Sequence, residues 1–308
     1  MKYEQLKSAA FFIQVDSEEK ARDWVWRSRF EGKAFVCPDC GEEGYWQHRA
    51  RPEIRECEVC RKPVRLRACT MFRDSKVPIL TWLRAIFLAM QDKRGVSALQ
   101  LMRQLAIKSY ATAWGMLQKI REALRQRDEQ YTLKGPIVEL DGARFGKQET
   151  GNQSGVLVAI ESKDWGDEKG RRKAKAGFAK VIVTEETKEA AQAFVDKALA
   201  KDAFVNTDGG QAFRNLVGVD VDYQVTNQDP EIIGRWLPWI HRFISNAKTW
   251  LLGTHHGIDA KYLTRYMAEY TYRFNRRHDP DSLFHRALFA CTVAKPATLR
   301  ALSTAGAF

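Results

Sequence analysis

Two short cysteine pairs constrain this 308-residue chain more than any other feature it has. Cys37-Pro38-Asp39-Cys40 and Cys57-Glu58-Val59-Cys60 stand 16 residues apart. Tetrahedral zinc takes four thiolates, and two tight turns brought together by a hairpin supply them. The spacing therefore predicts a zinc ribbon with a structural site, which adds folding energy but no chemistry. The competing reading is four unrelated reduced thiols. Cys69 and Cys291 lack a partner at ligand spacing and are expected to be buried small hydrophobes. Four of six cysteines arranged this way read as metal chemistry rather than a secreted disulfide framework. Whether the ribbon touches DNA, touches protein or only scaffolds is left open by spacing.

The length predicts about two domains. A hydrophobic fraction of 44 % is ordinary for a folded chain and too high for a disordered one. The net charge is +12, and it is unevenly placed. Residues 1–60 carry −2, residues 61–130 carry +10 and residues 131–308 carry +4. A localised positive field is the footprint of a phosphate-binding surface, where counterion release drives affinity. A solvated face kept basic for solubility is the alternative. The longest apolar stretches, such as Leu83–Met90 with its Arg84, fall far short of the roughly 20 residues needed to span a bilayer. Asp16, Glu18 and Glu19 follow the short N-terminal apolar patch, which is not a signal-peptide layout. A cytoplasmic protein with no membrane partner is the expectation.

Local patterns sketch the elements. Asp16 or Ser17 caps a short helix to about Arg27, and a turn-rich ribbon follows from Gly32 to about Arg73. An apolar helix spans about 78–90, and Gly95 breaks it. A short helix Ser97–Gln104, a turn and a longer helix Tyr110–Arg125 come next. That cadence is helix-turn-helix, with Lys108, Ser109, Tyr110 and Thr112 placed to face a major groove, although a plain helical bundle would look similar. Strands are then expected at 137–140, 155–160 and 178–183, with Lys163–Lys175 as a hairpin loop. A helix at 185–200, strands at 203–206 and 223–226, and closing helices at about 236–252 and 259–277 complete an α/β layout with a mixed sheet.

Two aspartates sit at matching strand ends, Asp141 in Val138-Glu139-Leu140-Asp141 and Asp208 in Val205-Asn206-Thr207-Asp208. In an RNase H-like sheet these strands lie side by side. Two hard carboxylates meeting at one edge can hold a pair of magnesium ions that clamp the attacking and leaving oxygens of a phosphodiester. A lone strand-end aspartate is more often a turn former. Leu263, Tyr266, Met267, Tyr270 and Phe274 form a helical stripe that reads as core. Asn275-Arg276-Arg277 either contacts DNA or only suits a helix C-terminus, and the basic loop Arg171-Arg172-Lys173 is open in the same way.

The chain resembles insertion-sequence transposases of the DDE superfamily, specifically the IS1595 group with its ISXO2-like transposase domain. Ribbon and helix-turn-helix carry the resemblance together with "VELDGARFGK" from Val138 and "NTDGGQAF" from Asn206. So does the C-terminal block Leu252-Gly253-Thr254-His255-His256, Leu263-Thr264-Arg265-Tyr266 and Tyr272-Arg273-Phe274-Asn275-Arg276-Arg277. Counted back from Gly253-Thr254, the family's third acidic position falls on His241, a departure from the usual Glu, with Lys248 seven residues on. Seven residues are two helical turns, so both side chains share one face about 10 Å apart. Glu231 is the rival for the third position and is expected in a loop.

The resemblance implies an RNase H-like catalytic domain after a zinc ribbon and a helix-turn-helix domain. The expected division is 1–30 helical, 31–75 ribbon, 76–130 helix-turn-helix, 135–290 catalytic and 291–308 tail. It implies a metal-dependent transposase that binds terminal inverted repeats, cleaves the strand and joins the 3′-hydroxyl to target DNA. Asp141, Asp208, His241 and Lys248 are the expected catalytic residues. Asp141, Asp208 and His241 would ligate two magnesium or manganese ions, with manganese favoured by the imidazole. Cys37, Cys40, Cys57 and Cys60 would hold zinc. Lys108, Ser109, Tyr110, Thr112, Lys248, Arg276 and Arg277 would contact DNA. A homodimer or larger assembly, associated with the nucleoid when bound, goes with that reading. The rivals are an inactive DNA-binding regulator of transposase descent and a structure-specific nuclease of the same fold.

Overall fold

The computed structural model describes residues 8–146, 153–166, 172–226 and 229–304. The chain divides into two compact units, Met1–Arg127 with Arg276–Thr304, and Asp128–Asn275.

The first unit opens with α1 (Ser8–Gln14) and α2 (Glu18–Arg29), the latter capped by the Ser17 hydroxyl, which accepts from Lys20 N–H. The ribbon is an antiparallel sheet of β1 (Tyr45–Gln47), β2 (Ile54–Cys57) and β3 (Pro63–Arg65). Arg55 on β2 ties it to α2. Its guanidinium lies 4.7 Å from the Trp26 ring and 4.4 Å from the Tyr45 ring, and donates to Asp23 at 2.7 Å and Gln47 at 3.1 Å. A further bond to the Ala34 carbonyl completes the fork. A cation this buried is tolerable because its donors are satisfied.

Pro78 precedes α3 (Ile79–Gln91) and offers no side-chain cap. The Glu18 carboxylate does it instead, accepting from Ile79 and Leu80 N–H at 2.8 Å each. α4 (Ala98–Gln104), capped by the Ser97 hydroxyl, and α5 (Tyr110–Asp128) follow, joined where the chain was expected to turn. Ala106 takes a φ of +50° in that turn.

The second unit is a five-stranded sheet. β4 (Ile137–Phe145), β5 (Ser154–Gly166) and β6 (Arg172–Val183) form an antiparallel meander. Both β5 and β6 run into the stretch expected to be a hairpin loop, because Lys163 pairs with Lys175 and the ladder continues to Gly166–Arg172. Arg171 lies outside the described residues. α6 (Lys188–Ala198), capped by Thr187, crosses to β7 (Phe204–Thr207), which pairs parallel to β4. β8 (Asp220–Tyr223) pairs parallel to β7, so the order is β6-β5-β4-β7-β8. This edge strand lies three residues before its expected place. Asp220 and Asp222 hide it, since acids are depleted from strands yet suit an exposed edge.

The expected helix at 236–252 is two helices, α7 (Pro230–Trp236) and α8 (Ile240–His255), divided at Leu237-Pro238-Trp239. Proline removes a donor and clashes with the preceding turn, so one helix cannot run through it. Glu231 is in the first turn of α7 rather than a loop. A 3-10 turn, Ala260–Tyr262, leads into α9 (Leu263–Asn275).

Side chains alternate across the sheet. Val138, Leu140, Leu157 and Ala159 bury one face against α6. Phe145, Val156, Val158 and Ile160 bury the other against α8 and α9, where Leu263, Tyr266 and Met267 are core and Tyr270 and Phe274 pack on it. The strand period of two therefore sends Glu139 and Asp141 toward the α8 face.

After Asn275 the chain returns to the first unit. α10 (Pro280–Val293) packs on α2 and α3, and α11 (Leu299–Thr304) follows. Phe11 stacks on Phe87 at 4.0 Å and meets Phe284 of α10 at 5.0 Å. These units cut the chain differently from the expected division: the second ends at Asn275, and the end of α10 and all of α11 fall in the expected tail. Cys291 is buried as expected, but Cys69 is exposed in a turn with a φ of +58°. No helix among the described residues is long and apolar enough to cross a membrane.

Candidate active site

The two cysteine pairs form near-copies of one turn. Cys37 N–H donates to the Glu42 carbonyl and Gly41 N–H to the Cys37 carbonyl; Cys57, Lys62 and Arg61 repeat the pattern. The fifth position of each turn is left-handed, Gly41 at φ +76° and Arg61 at +61°. The four sulfurs converge within 4.8 Å, with Cys37–Cys60 at 3.4 Å and Cys40–Cys57 at 3.5 Å. Zinc–sulfur bonds of about 2.3 Å give a tetrahedron with edges of about 3.8 Å, so this donor set fits zinc.

In the second unit the chemistry gathers at one end of the sheet. β4 and β7 pair with Val138 opposite Val205 and Glu139 opposite Asn206. Asp141 lies in the middle of β4 rather than at the expected strand end, because pairing with β5 carries the strand on to Phe145; two residues beyond the last pair it comes level with Asp208, just past β7. Asp141 is 8 % exposed, and its Oδ1 accepts from Gly142 N–H at 2.7 Å. The Asp208 Oδ1 accepts from Gly210 N–H at 2.9 Å, and Trp236 Nε1 holds the strand end through the Thr207 carbonyl at 2.7 Å. Gly209 turns the chain at φ +80°, where a Cβ would crowd the Tyr223 ring at 2.9 Å.

His241 sits one residue into α8 with Nε2 3.6 Å from Asp141 Oδ2. That nitrogen is buried and makes no hydrogen bond. Its place is set by a residue the sequence reading passed over. Glu139 is 1 % exposed, and its Oε2 accepts from Trp239 and Ile240 N–H at 2.9 Å each. α8 has no side-chain cap of its own, so this carboxylate supplies one from the sheet. The signal was present: Glu139 and Asp141 alternate within an apolar strand, which puts both on one face.

Burial and neighbouring charge perturb the titratable groups of the cleft. Burial, then the charge of Asp208, then that of Glu186 push the Asp141 carboxyl up to about 7. Burial pushes Glu139 up to about 7 although two N–H groups favour its ionised form. Burial lowers His241, which keeps its imidazole neutral and able to ligate. A buried carboxylate repelled by its neighbours and an orphaned imidazole nitrogen aimed at it fit a divalent cation.

Lys248 lies further along the same face of α8. Its ammonium is 5.5 Å from the Phe145 ring, and both residues line a cavity of about 610 Å³ with Leu251, Leu252 and Ile258. His241 and Lys248 thus follow β4 from Asp141 toward Phe145, but Lys248 is not among the groups that perturb Asp141.

In the first unit Lys108, Ser109 and Tyr110 are exposed at the start of α5, and Thr112 is half-buried. Part of the positive window is used internally. Arg121 is 1 % exposed, Arg67 forks onto Glu53, and Arg125 pairs with Glu122 at 2.7 Å. Arg276 and Arg277 are half-buried in the turn after α9.

The ISXO2-like transposase domain family matches residues 126–275, nearly the bounds of the second compact unit. No curated protein and no solved structure matches the chain. Residues 126–275 thus carry an ISXO2-like transposase domain of the IS1595 group.

Proposed function

We propose that this protein is a metal-dependent DNA transposase. On this reading the first unit finds the element's terminal inverted repeats and the second cuts and joins strands. The observation that carries it is the register of β4 on β7, which sets Asp141 level with Asp208 while His241 Nε2 stands 3.6 Å from Asp141 Oδ2. Asp141, Asp208 and His241 would hold magnesium or manganese, and the four cysteines zinc. When bound, divalent ions supply charge neutralisation at the scissile phosphate and lower the pKa of the attacking hydroxyl group.

The residues around them hold the geometry. Asp141 orients its free oxygen toward the cleft while Oδ1 is tied to Gly142 N–H. Glu139 keeps His241 in place by capping α8. Lys248 offers a cation to DNA phosphate on the same helix face. Lys108, Ser109, Tyr110 and Thr112, with Arg276 and Arg277, are the proposed DNA contacts of the remainder. Two element ends must be handled together, so a homodimer or larger assembly follows.

The test is a strand-transfer assay with oligonucleotides bearing the element ends and a supercoiled plasmid target. Joined products with magnesium or manganese are expected, and none from Asp141→Asn. Cutting without joining would instead mark a nuclease, and binding without cutting a regulator.

A further inference from the structure

The cleft holds a third carboxylate. Glu186 lies between β6 and α6, just before the Thr187 cap. Two glycines bring it in. Gly155 at the start of β5 lets the chain at Thr184–Glu185 pass against it, where a Cβ would come within 3.0 Å of Glu185 Cα. Gly142, next to Asp141, leaves room that the Glu186 Oε2 occupies; a Cβ there would overlap it. The other oxygen, Oε1, lies 3.6 Å from where a Gly210 Cβ would be, a point that is also 3.2 Å from the Asp208 Oδ1. Glu186 therefore reaches between the two aspartates.

Its neighbour behaves differently. Glu185 is paired to Arg144 at 2.7 Å, whereas no ion pair with Glu186 occurs among the described residues. The two Glu186 oxygens thus reach the backbone next to Asp141 and next to Asp208, while His241 Nε2, which makes no hydrogen bond, stands 3.6 Å from Asp141 Oδ2.

Magnesium prefers oxygen donors, and an imidazole at position 241 leaves the site one hard ligand short. We infer that Glu186 supplies that missing oxygen and is a ligand of the cation site built on Asp141 and Asp208. This rests on the transposase reading above. It assigns the hard-donor role to the β6–α6 connection rather than to α8.

The test measures manganese binding to the full chain by electron paramagnetic resonance, with zinc retained, for wild type, Glu186→Gln, Glu185→Gln and Asp208→Asn. Glu186→Gln is close in shape and removes one charge from a repulsive cluster, so the metal-free protein should melt no lower than wild type. Binding should weaken by roughly 10- to 100-fold in Glu186→Gln and stay unchanged in Glu185→Gln. If Asp208→Asn weakens binding and Glu186→Gln does not, the role of Glu186 is overturned and the site survives. If wild type binds no manganese, or Asp208→Asn binds as wild type does, the transposase site itself is overturned.

Discussion

The ribbon and the proposed catalytic cleft are both candidate ligand sets, but they are assembled in opposite ways. The ribbon's donors fall within residues 37–60 and come from one turn used twice. The cleft draws on β4, β7, the β6–α6 connection and α8, from Asp141 to His241. Four sulfurs already sit within 4.8 Å, whereas the cleft's carboxylates and imidazole are more widely spaced. Thiols can approach one another as neutral groups, but carboxylates repel until a cation arrives. A local site can be stable as built. A site made from distant strands is held open by the fold and completed by its ligand.

Removing zinc should have the largest effect. Structural zinc contributes on the order of 10 kcal/mol, so chelation or Cys57→Ser should unfold the ribbon. Circular dichroism and zinc release should report that loss, and a second unit that melts along with it would break the contrast. Next is Asp208→Ala, which should lower strand cleavage by roughly a thousandfold, the effect of several kcal/mol at the transition state, with little change in melting temperature.

The two borrowed caps offer a finer comparison. Glu18→Ala removes the cap of α3 and should cost about 1–2 kcal/mol without altering chemistry. Glu139→Ala strips α8 of its cap and should cost about 1–3 kcal/mol and also slow cleavage, because His241 rides on that helix. Denaturant melts and single-turnover cleavage, run on both variants, separate the outcomes. Equal effects on cleavage would remove the positioning role of Glu139.

Acidity probes the cleft's repulsion. The folded carboxyls of Asp141 and Glu139 are raised to about 7, so the native state binds protons that the unfolded chain has released. Their contribution is fully present below the ordinary carboxylate range and is lost as pH rises through about 7. Without added magnesium, the second unit should melt a few degrees lower at pH 8 than at pH 6. Magnesium should narrow the gap, and Asp141→Asn should shrink it; a flat profile in wild type would contradict the proposed repulsion. The smallest effect belongs to the ribbon's second turn. Arg61→Gly relieves a left-handed backbone and should stabilise by about 0.5–1 kcal/mol, while Gly41→Ala should do the reverse.

Legibility follows the same division. The cysteine spacing, the helix-turn-helix and the two aspartates were readable because each signal is carried by neighbours in the chain, although β4 runs four residues past Asp141 instead of ending there. Asp141 and Asp208 needed only the assumption that their strands pair. Glu139 could have been found from its period-two relation to Asp141. Glu186 could not: in Thr184-Glu185-Glu186-Thr187 it looks like any acid before a helix, and only the gap at Gly142 shows where its carboxylate goes. The edge strand β8, the break at Pro238 and the return of α10 to the first unit were misplaced or missed. Each is settled by pairing or packing across long separations.

By itself, the amino-acid order determined which turns can grip a soft metal, which helices form and where the strands that carry the two aspartates begin. Those outcomes depend on backbone geometry within a few residues. Tertiary structure alone decided that three acids and an imidazole share one cleft, and that α8 starts where a buried glutamate from the sheet meets its free N–H groups. Such convergence is a property of strand register and helix docking, and no local stretch of chain encodes it.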